Sequence, residues 1–204
     1  MIRRINNLIK KSTLIIKDDG ALRFAKRAAK YAYYKKFPDR KNKEYKDILF
    51  INGCTLPHPE RYRVAHQIEQ LISQGLTADS VFYDRLSLDQ LKYYRGFVFF
   101  RCPITDTVRD FIKQANYFNK TCFFDIDDLV IDQKYTDSIE YVQKMSDEDK
   151  HLYNDGVNRM RETLTLCSHA ITTTTQLQEE LQKYIMGQVL INGNVASDEM
   201  ISRS

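Results

Sequence analysis

At 204 residues, with 43% hydrophobic and 12% aromatic residues, the chain can bury one sizeable core and is too apolar for a disordered polymer. No uninterrupted apolar run approaches the roughly 20 residues that a membrane-spanning helix needs, and the first residues lack the apolar centre and cleavage site of a secretory signal, so the reading is a cytoplasmic protein. The net charge of +4 hides an asymmetry: residues 1–46 hold 15 Lys and Arg against 4 Asp and Glu, and the remainder holds 16 against 23. A basic arm of this kind suits anionic lipid, nucleic acid or a companion domain.

In chain order, Ile2, Ile5, Leu8 and Ile9 recur at helical spacing with Arg3, Arg4, Lys10 and Lys11 between them, which predicts a short amphipathic helix. The Asp18-Asp19-Gly20 cluster ends it. A second helix follows, with Leu22, Ala25, Ala28, Ala29 and Ala32 inside and Arg23, Lys26, Arg27 and Lys30 outside. Residues 35–46 are polar, contain Pro38 and read as a linker, so 1–46 forms a helical arm and 47–204 the domain proper.

From Asp47 onward short apolar runs alternate with amphipathic stretches, the pattern of a parallel sheet with helices on both faces. Strands are expected over 48–52, 80–84, 97–101, 121–125, 169–172 and 188–191, and helices near 62–74, 88–94, 107–119, 146–166 and 176–184. Ser87 with Gln90, and Thr175 with Gln178, have the spacing of reciprocal helix caps, and Thr105 or Asp106 caps the helix after the third strand. The fold class is therefore α/β, a Rossmann-like open parallel sheet of about six strands flanked by helices. Cys54, Cys102, Cys122 and Cys167 stand singly in apolar contexts and read as buried free thiols.

Ligands of such sheets sit beyond the carboxyl ends of the strands, so the residues there are the candidates. After the first strand, Gly53 permits close approach, Pro57 and Pro59 stiffen the loop, and Arg61 and Arg63 bring forked donors suited to phosphate or carboxylate. Neither GxGxxG nor GxxxxGK[ST] occurs, so dinucleotide and P-loop binding have no motif behind them. His58 and His66 are the histidines near this edge.

After the fourth strand, Asp125, Asp127 and Asp128 place three carboxylates within four residues, a repulsion that a cation, a donor or solvent must relieve. Metal binding, a phospho-acceptor cluster and recognition of sugar hydroxyls compete for them, beside a plain structural role in capping. Arg101 ends the third strand at the same edge, where an ion pair with the aspartates is the simplest expectation. Thr173 lies among four consecutive threonines that end the fifth strand.

Taken in order, the strand Ile48 to Asn52, Pro57-His58-Pro59-Glu60-Arg61-Tyr62-Arg63, Phe99-Phe100-Arg101-Cys102-Pro103, Phe124-Asp125-Ile126-Asp127-Asp128-Leu129, Ala170-Ile171-Thr172-Thr173-Thr174 and Ile191-Asn192-Gly193-Asn194-Val195-Ala196 resemble one family. It is the GT4-like group of GT-B glycosyltransferases found in rhamnan and related surface-polysaccharide clusters, and the resemblance covers about residues 46–204. It implies the N-terminal, acceptor-side domain of an enzyme that moves a sugar from a nucleotide-sugar donor to a glycan or lipid-linked acceptor. The donor-binding domain would lie beyond Ser204. It implies no cofactor, the nucleotide sugar being a substrate, and no resident metal at the aspartates. Nucleic acid is not an expected partner, whereas the arm suits an anionic inner leaflet and peripheral attachment there. The alternative is a non-catalytic binding domain that recruits a partner through the arm.

Overall fold

The computed structural model describes residues 44–202, with Ala25 alone before them, so the two helices expected in the basic arm lie outside the described residues. The fold is that of the unit Lys43–Ser204. Six strands form one sheet: β1 Lys46–Asn52, β2 Ala78–Phe82, β3 Tyr94–Phe100, β4 Thr121–Asp125, β5 His169–Thr172 and β6 Val189–Ile191. All neighbours are parallel in the order β2-β1-β3-β4-β5-β6. The helices are α1 (57–73), α2 Asp106–Tyr117, two short turns α3 Gln133–Thr136 and α4 Glu140–Gln143, α5 Asp147–Leu166, α6 Thr175–Leu181 and α7 Asp198–Ser202. This is a Rossmann-like α/β fold.

The period-two alternation of a strand divides the core into two layers. Leu49, Ile51, Phe97, Phe99, Cys122, Phe124 and Ala170 face one side and pack with Val108, Phe111 and Ile112 of α2, Leu164 of α5 and Leu181 of α6. Phe50, Val98, Phe100 and Ala78 face the other side and pack with Val64, Ile68 and Leu71 of α1. β3 is buried over nearly its whole length, as a central parallel strand covered on both faces must be. All four cysteines are buried free thiols, as the sequence predicts.

Three strands begin earlier than expected, β1 starting at Lys46 rather than Ile48. β3 starts at Tyr94 rather than Phe97, and β2 at Ala78 rather than Ser80. Cross-strand polar contacts extend both: Lys46 donates to Asp79 (2.8 Å), and Tyr94 Oη donates to the other Asp79 oxygen (2.9 Å). Gly96 lies in β3, where an added Cβ would come within 3.3 Å of Ile48 Cδ1. The stretch Leu88–Tyr93 is a 3-10 helix, and it carries the reciprocal cap of Ser87 and Gln90 read from the sequence. Thr105 caps α2, whereas α6 is capped by Thr174, one residue before the expected Thr175.

Candidate functional site

The chain passes from β1 to β2 on one side and then returns to the other flank of β1 as β3. Such a reversal opens a crevice beyond the strand carboxyl ends. Asn52-Gly53 and Arg101-Cys102 lie side by side in backbone contact at that edge. Asn52 Oδ1 accepts from the Cys54 amide (2.8 Å), closing a tight turn, and the Gly53 amide donates to Phe100 O (2.8 Å). Arg101 adopts φ 42°, a left-handed conformation that strains a residue with a side chain.

That backbone turn carries the Arg101 guanidinium to the tip of β4. Its Nε and Nη2 both lie 2.7 Å from Asp127 Oδ1, and Nη2 lies 3.9 Å from Asp128 Oδ2. The Arg101 and Asp127 side chains are 16% and 18% exposed, and Asp128 is 59% exposed, so the pair is accessible at its outer edge. Tyr153 of α5 stands within electrostatic reach: burial raises its phenol pKa first, the Asp128 carboxylate adds to the rise, and Arg101 opposes it. The group combines a forked cation, two carboxylates and an aromatic edge, which suits a polyhydroxylated or anionic ligand.

Behind this rim lies a buried polar layer. Register places Asn52, Phe100 and Asp125 in one row, so Asp125 faces α1. The helix starts with Pro57 at its first position, where a missing N–H is harmless, and passes through a π-helical turn over Arg61–Ala65. Arg63 in that turn is wholly buried: Nη2 donates to Asp125 Oδ1 (2.7 Å), Nη1 to Asn192 O (2.6 Å), and Nε has no acceptor. Three and four residues further, about one helical turn, His66 Nδ1 lies 2.9 Å from Val195 O and Gln67 Nε2 donates to Gly193 O (3.1 Å). Arg61 Nε donates to His66 Nε2 (3.2 Å), which makes Nδ1 the protonated nitrogen and the donor to Val195 O. The segment after β6 is thereby strapped onto α1 by three side chains that reach its carbonyls.

Burial raises the Asp125 carboxyl to about 7, and the Arg63 cation offsets part of the rise, while Asp127 adds to it and Arg101 opposes it. A carboxyl whose native pKa lies above its unfolded value binds more protons folded than unfolded between about 3.8 and 7. Through this group stability therefore falls as pH rises across that window, with a slope of at most about 1.4 kcal/mol per pH unit. Asp125→Asn keeps an acceptor for Arg63 and removes the proton. Urea denaturation from pH 5 to 8 is expected to show a smaller decline for Asp125→Asn than for the natural chain; equal slopes would mean that Asp125 does not titrate there.

Arg101, Asp127 and Asp128 are thus brought together with Gly53 at one rim, as expected. Asp125 and Arg63 meet each other beneath it, and Arg63 is enclosed instead of presented to a solvent-borne anion. Arg61 is exposed but tied to His66, and His58 is exposed in the first turn of α1. Thr173 is half-buried just past β5, while Thr172 Oγ1 donates to Ile126 O (2.8 Å). Gln67, Asn192 and Tyr153 were not foreseen. For Gln67 a signal existed, because Arg63, His66 and Gln67 form a polar stripe beside the apolar Val64, Ile68 and Leu71.

Among the described residues, no group of three or more His, Cys, Asp or Glu side chains is arranged to hold a metal ion. Among them, too, no helix is long and apolar enough to cross a membrane. No protein-family model matches the chain, and neither the curated proteins nor the solved structures contain a match to it.

Proposed function

We propose that this chain is the acceptor-side half of a GT-B glycosyltransferase, which transfers a sugar from a nucleotide-sugar donor to a glycan or lipid-linked acceptor during surface-polysaccharide assembly on the cytoplasmic side of the membrane. One observation carries the reading: the switch between β1 and β3 gathers the Gly53 turn, the Arg101–Asp127 pair and Asp128 at a single rim of a parallel sheet. The sequence resemblance to that family, which places its motifs at the same strand ends, supports it.

In this reading the rim binds and orients, and it supplies no proton. Asp128 and Asp127 accept hydrogen bonds from acceptor hydroxyls, Arg101 donates to ring or phosphate oxygens, and the Tyr153 edge packs against the sugar. Arg63 and Asp125 hold the rim from below, since the Arg101 amide donates to Asp125 O (2.9 Å). Holding an acceptor hydroxyl in line with a donor carbon supplies a large part of such a reaction's acceleration.

The test is transfer of labelled sugar from nucleoside-diphosphate sugars to membrane-borne acceptors by the natural gene product that carries this chain. Arg101→Gln is expected to lower turnover by about 10²-fold with the circular dichroism spectrum unchanged. Turnover that ignores this substitution would remove the rim from the mechanism, and the absence of transfer from every nucleotide sugar would remove the activity.

A further inference from the structure

The tripeptide Ile-Asn-Gly occurs twice in the chain, as Ile51-Asn52-Gly53 and Ile191-Asn192-Gly193, and each copy stands where a strand ends. The local sequence is therefore the same, and only the folded surroundings differ. A glycine after asparagine leaves its own amide nitrogen unobstructed, so that this nitrogen can reach the side-chain carbonyl carbon of the asparagine.

At the first copy that approach is blocked. Asn52 is buried, its Oδ1 accepts from the Cys54 amide (2.8 Å), and the Gly53 amide donates to Phe100 O (2.8 Å). The second copy differs on each count. Gly193 is exposed, a Cβ built on it would meet nothing within 4 Å, and its amide has no acceptor among the described residues. The hydrogen bonds around it hold other atoms: Arg63 Nη1 donates to Asn192 O (2.6 Å), Gln67 Nε2 donates to Gly193 O (3.1 Å), and Asn192 Nδ2 donates to Gln67 Oε1. They fix the two carbonyls and the side-chain nitrogen, and they spare the nitrogen that would attack. The Arg63 contact also assists the attack. When the Gly193 amide loses its proton, negative charge spreads onto Asn192 O, where the buried guanidinium is already in place to stabilise it.

We propose that Asn192-Gly193 is a site of spontaneous deamidation, a covalent modification that alters the segment after β6 with time. Hydroxide removes the Gly193 amide proton, the nitrogen bonds to Asn192 Cγ, and the Cγ–Nδ2 bond breaks, Nδ2 leaving as ammonia with a proton from water. A second water then opens the succinimide ring at either carbonyl, which leaves aspartate or isoaspartate at position 192. Either product puts a carboxylate opposite Gln67 Oε1, an acceptor, and near the Arg63 cation that serves Asp125. Isoaspartate also adds a methylene to the main chain, so Gly193 O and Val195 O lose their register with Gln67 and His66. The modification thereby loosens the strap. It does not depend on sugar transfer.

The chain is incubated at pH 8.5, folded and in urea, and mapped by mass spectrometry after trypsin, which releases Asn52 in peptide 47–61 and Asn192 in peptide 184–203. In the folded chain position 192 is expected to gain about one dalton roughly tenfold faster than Asn52 and to give two separable products, whereas in urea the two sites convert alike. Gly193→Ala, for which there is open space, is expected to slow conversion about tenfold with the circular dichroism spectrum unchanged. Amides 193–197 are expected to exchange faster in the converted chain, and unchanged exchange would refute the loosening. Conversion of Asn192 in urea but not in the folded chain would mean that Arg63 and Gln67 protect the site, and would overturn the proposal. Equal rates at Asn52 and Asn192 in the folded chain, or a gain at Asn194 in place of Asn192, would overturn it as well.

Discussion

Arg63→Met is expected to destabilise the domain by about 3–5 kcal/mol in urea denaturation at pH 8, because it leaves the buried Asp125 carboxyl without its cationic partner, either still charged or obliged to bind a proton. Arg63 is enclosed completely, and its two terminal nitrogens serve Asp125 on β4 and the carbonyl of Asn192 beyond β6. Removing the cation leaves the desolvation of the carboxyl without its compensation, so Asp125 either stays charged without a partner or binds a proton. Arg63→Met with Asp125→Leu is expected to recover most of the loss, since both charges are then gone and apolar volume replaces them. Arg63→Lys should not substitute, because one ammonium lacks the fork that spans both acceptors. Hydrogen exchange adds a local readout: amides 193–197 are expected to exchange faster in Arg63→Met than in an equally destabilised core variant. Equal protection would mean that the strap is held without Arg63.

How much of this could be read beforehand depends on the range of the interaction. Strands β1, β4 and β5 announce themselves as short apolar runs, and the cap of Ser87 with Gln90 needs only a three-residue spacing. The pairing of Arg101 with Asp127 follows from adjacent strands that end at the same edge with opposite charges. Four threonines in a row gave no local reason to prefer Thr174 over Thr175 as the cap of α6, and the direction in which the chain leaves β5 decides it.

Arg63 illustrates what is not local. An arginine in a polar loop defaults to a solvated side chain, and three facts reverse that here. Pro57 and Pro59 begin the helix instead of stiffening a loop before it, which puts Arg63 inside α1. The π-helical turn rotates it toward the sheet. Its partners are 62 and 129 residues away, and only the assembled sheet brings them to it. The buried layer of Arg63, His66 and Gln67 is thus a tertiary product, although its helical spacing was written in the sequence. The strap and the rim meet at Asp125, whose side chain binds Arg63 and whose carbonyl accepts the Arg101 amide. Arg63 and Asp125 thus link the segment after β6 to the Arg101 backbone.

Gly53→Ala tests the rim at its backbone contact. A Cβ there would lie 2.4 Å from both Arg101 O and Cys102 Cα, and both are backbone atoms that cannot rotate aside. The Gly53 amide also donates to Phe100 O (2.8 Å), so moving Gly53 away breaks the last rung between β1 and β3. Overpacking of this kind costs about 1–3 kcal/mol where side chains can shift, and a rigid backbone neighbour puts the expected loss at about 3 kcal/mol or above. The reference is Gly156→Ala in α5, where a Cβ meets nothing within 4 Å. That substitution is expected to stabilise the domain by about 0.5–1 kcal/mol through helix propensity alone. If Gly53→Ala folds at reduced stability, its amide spectrum is expected to change at Arg101, Cys102 and Asp127, and sugar transfer to fall with it, whereas Gly156→Ala leaves both unchanged. A Gly53→Ala chain as stable as the natural one, with the Arg101 amide in place, would show that Gly53 and the Arg101-Cys102 backbone are not in close contact at the rim.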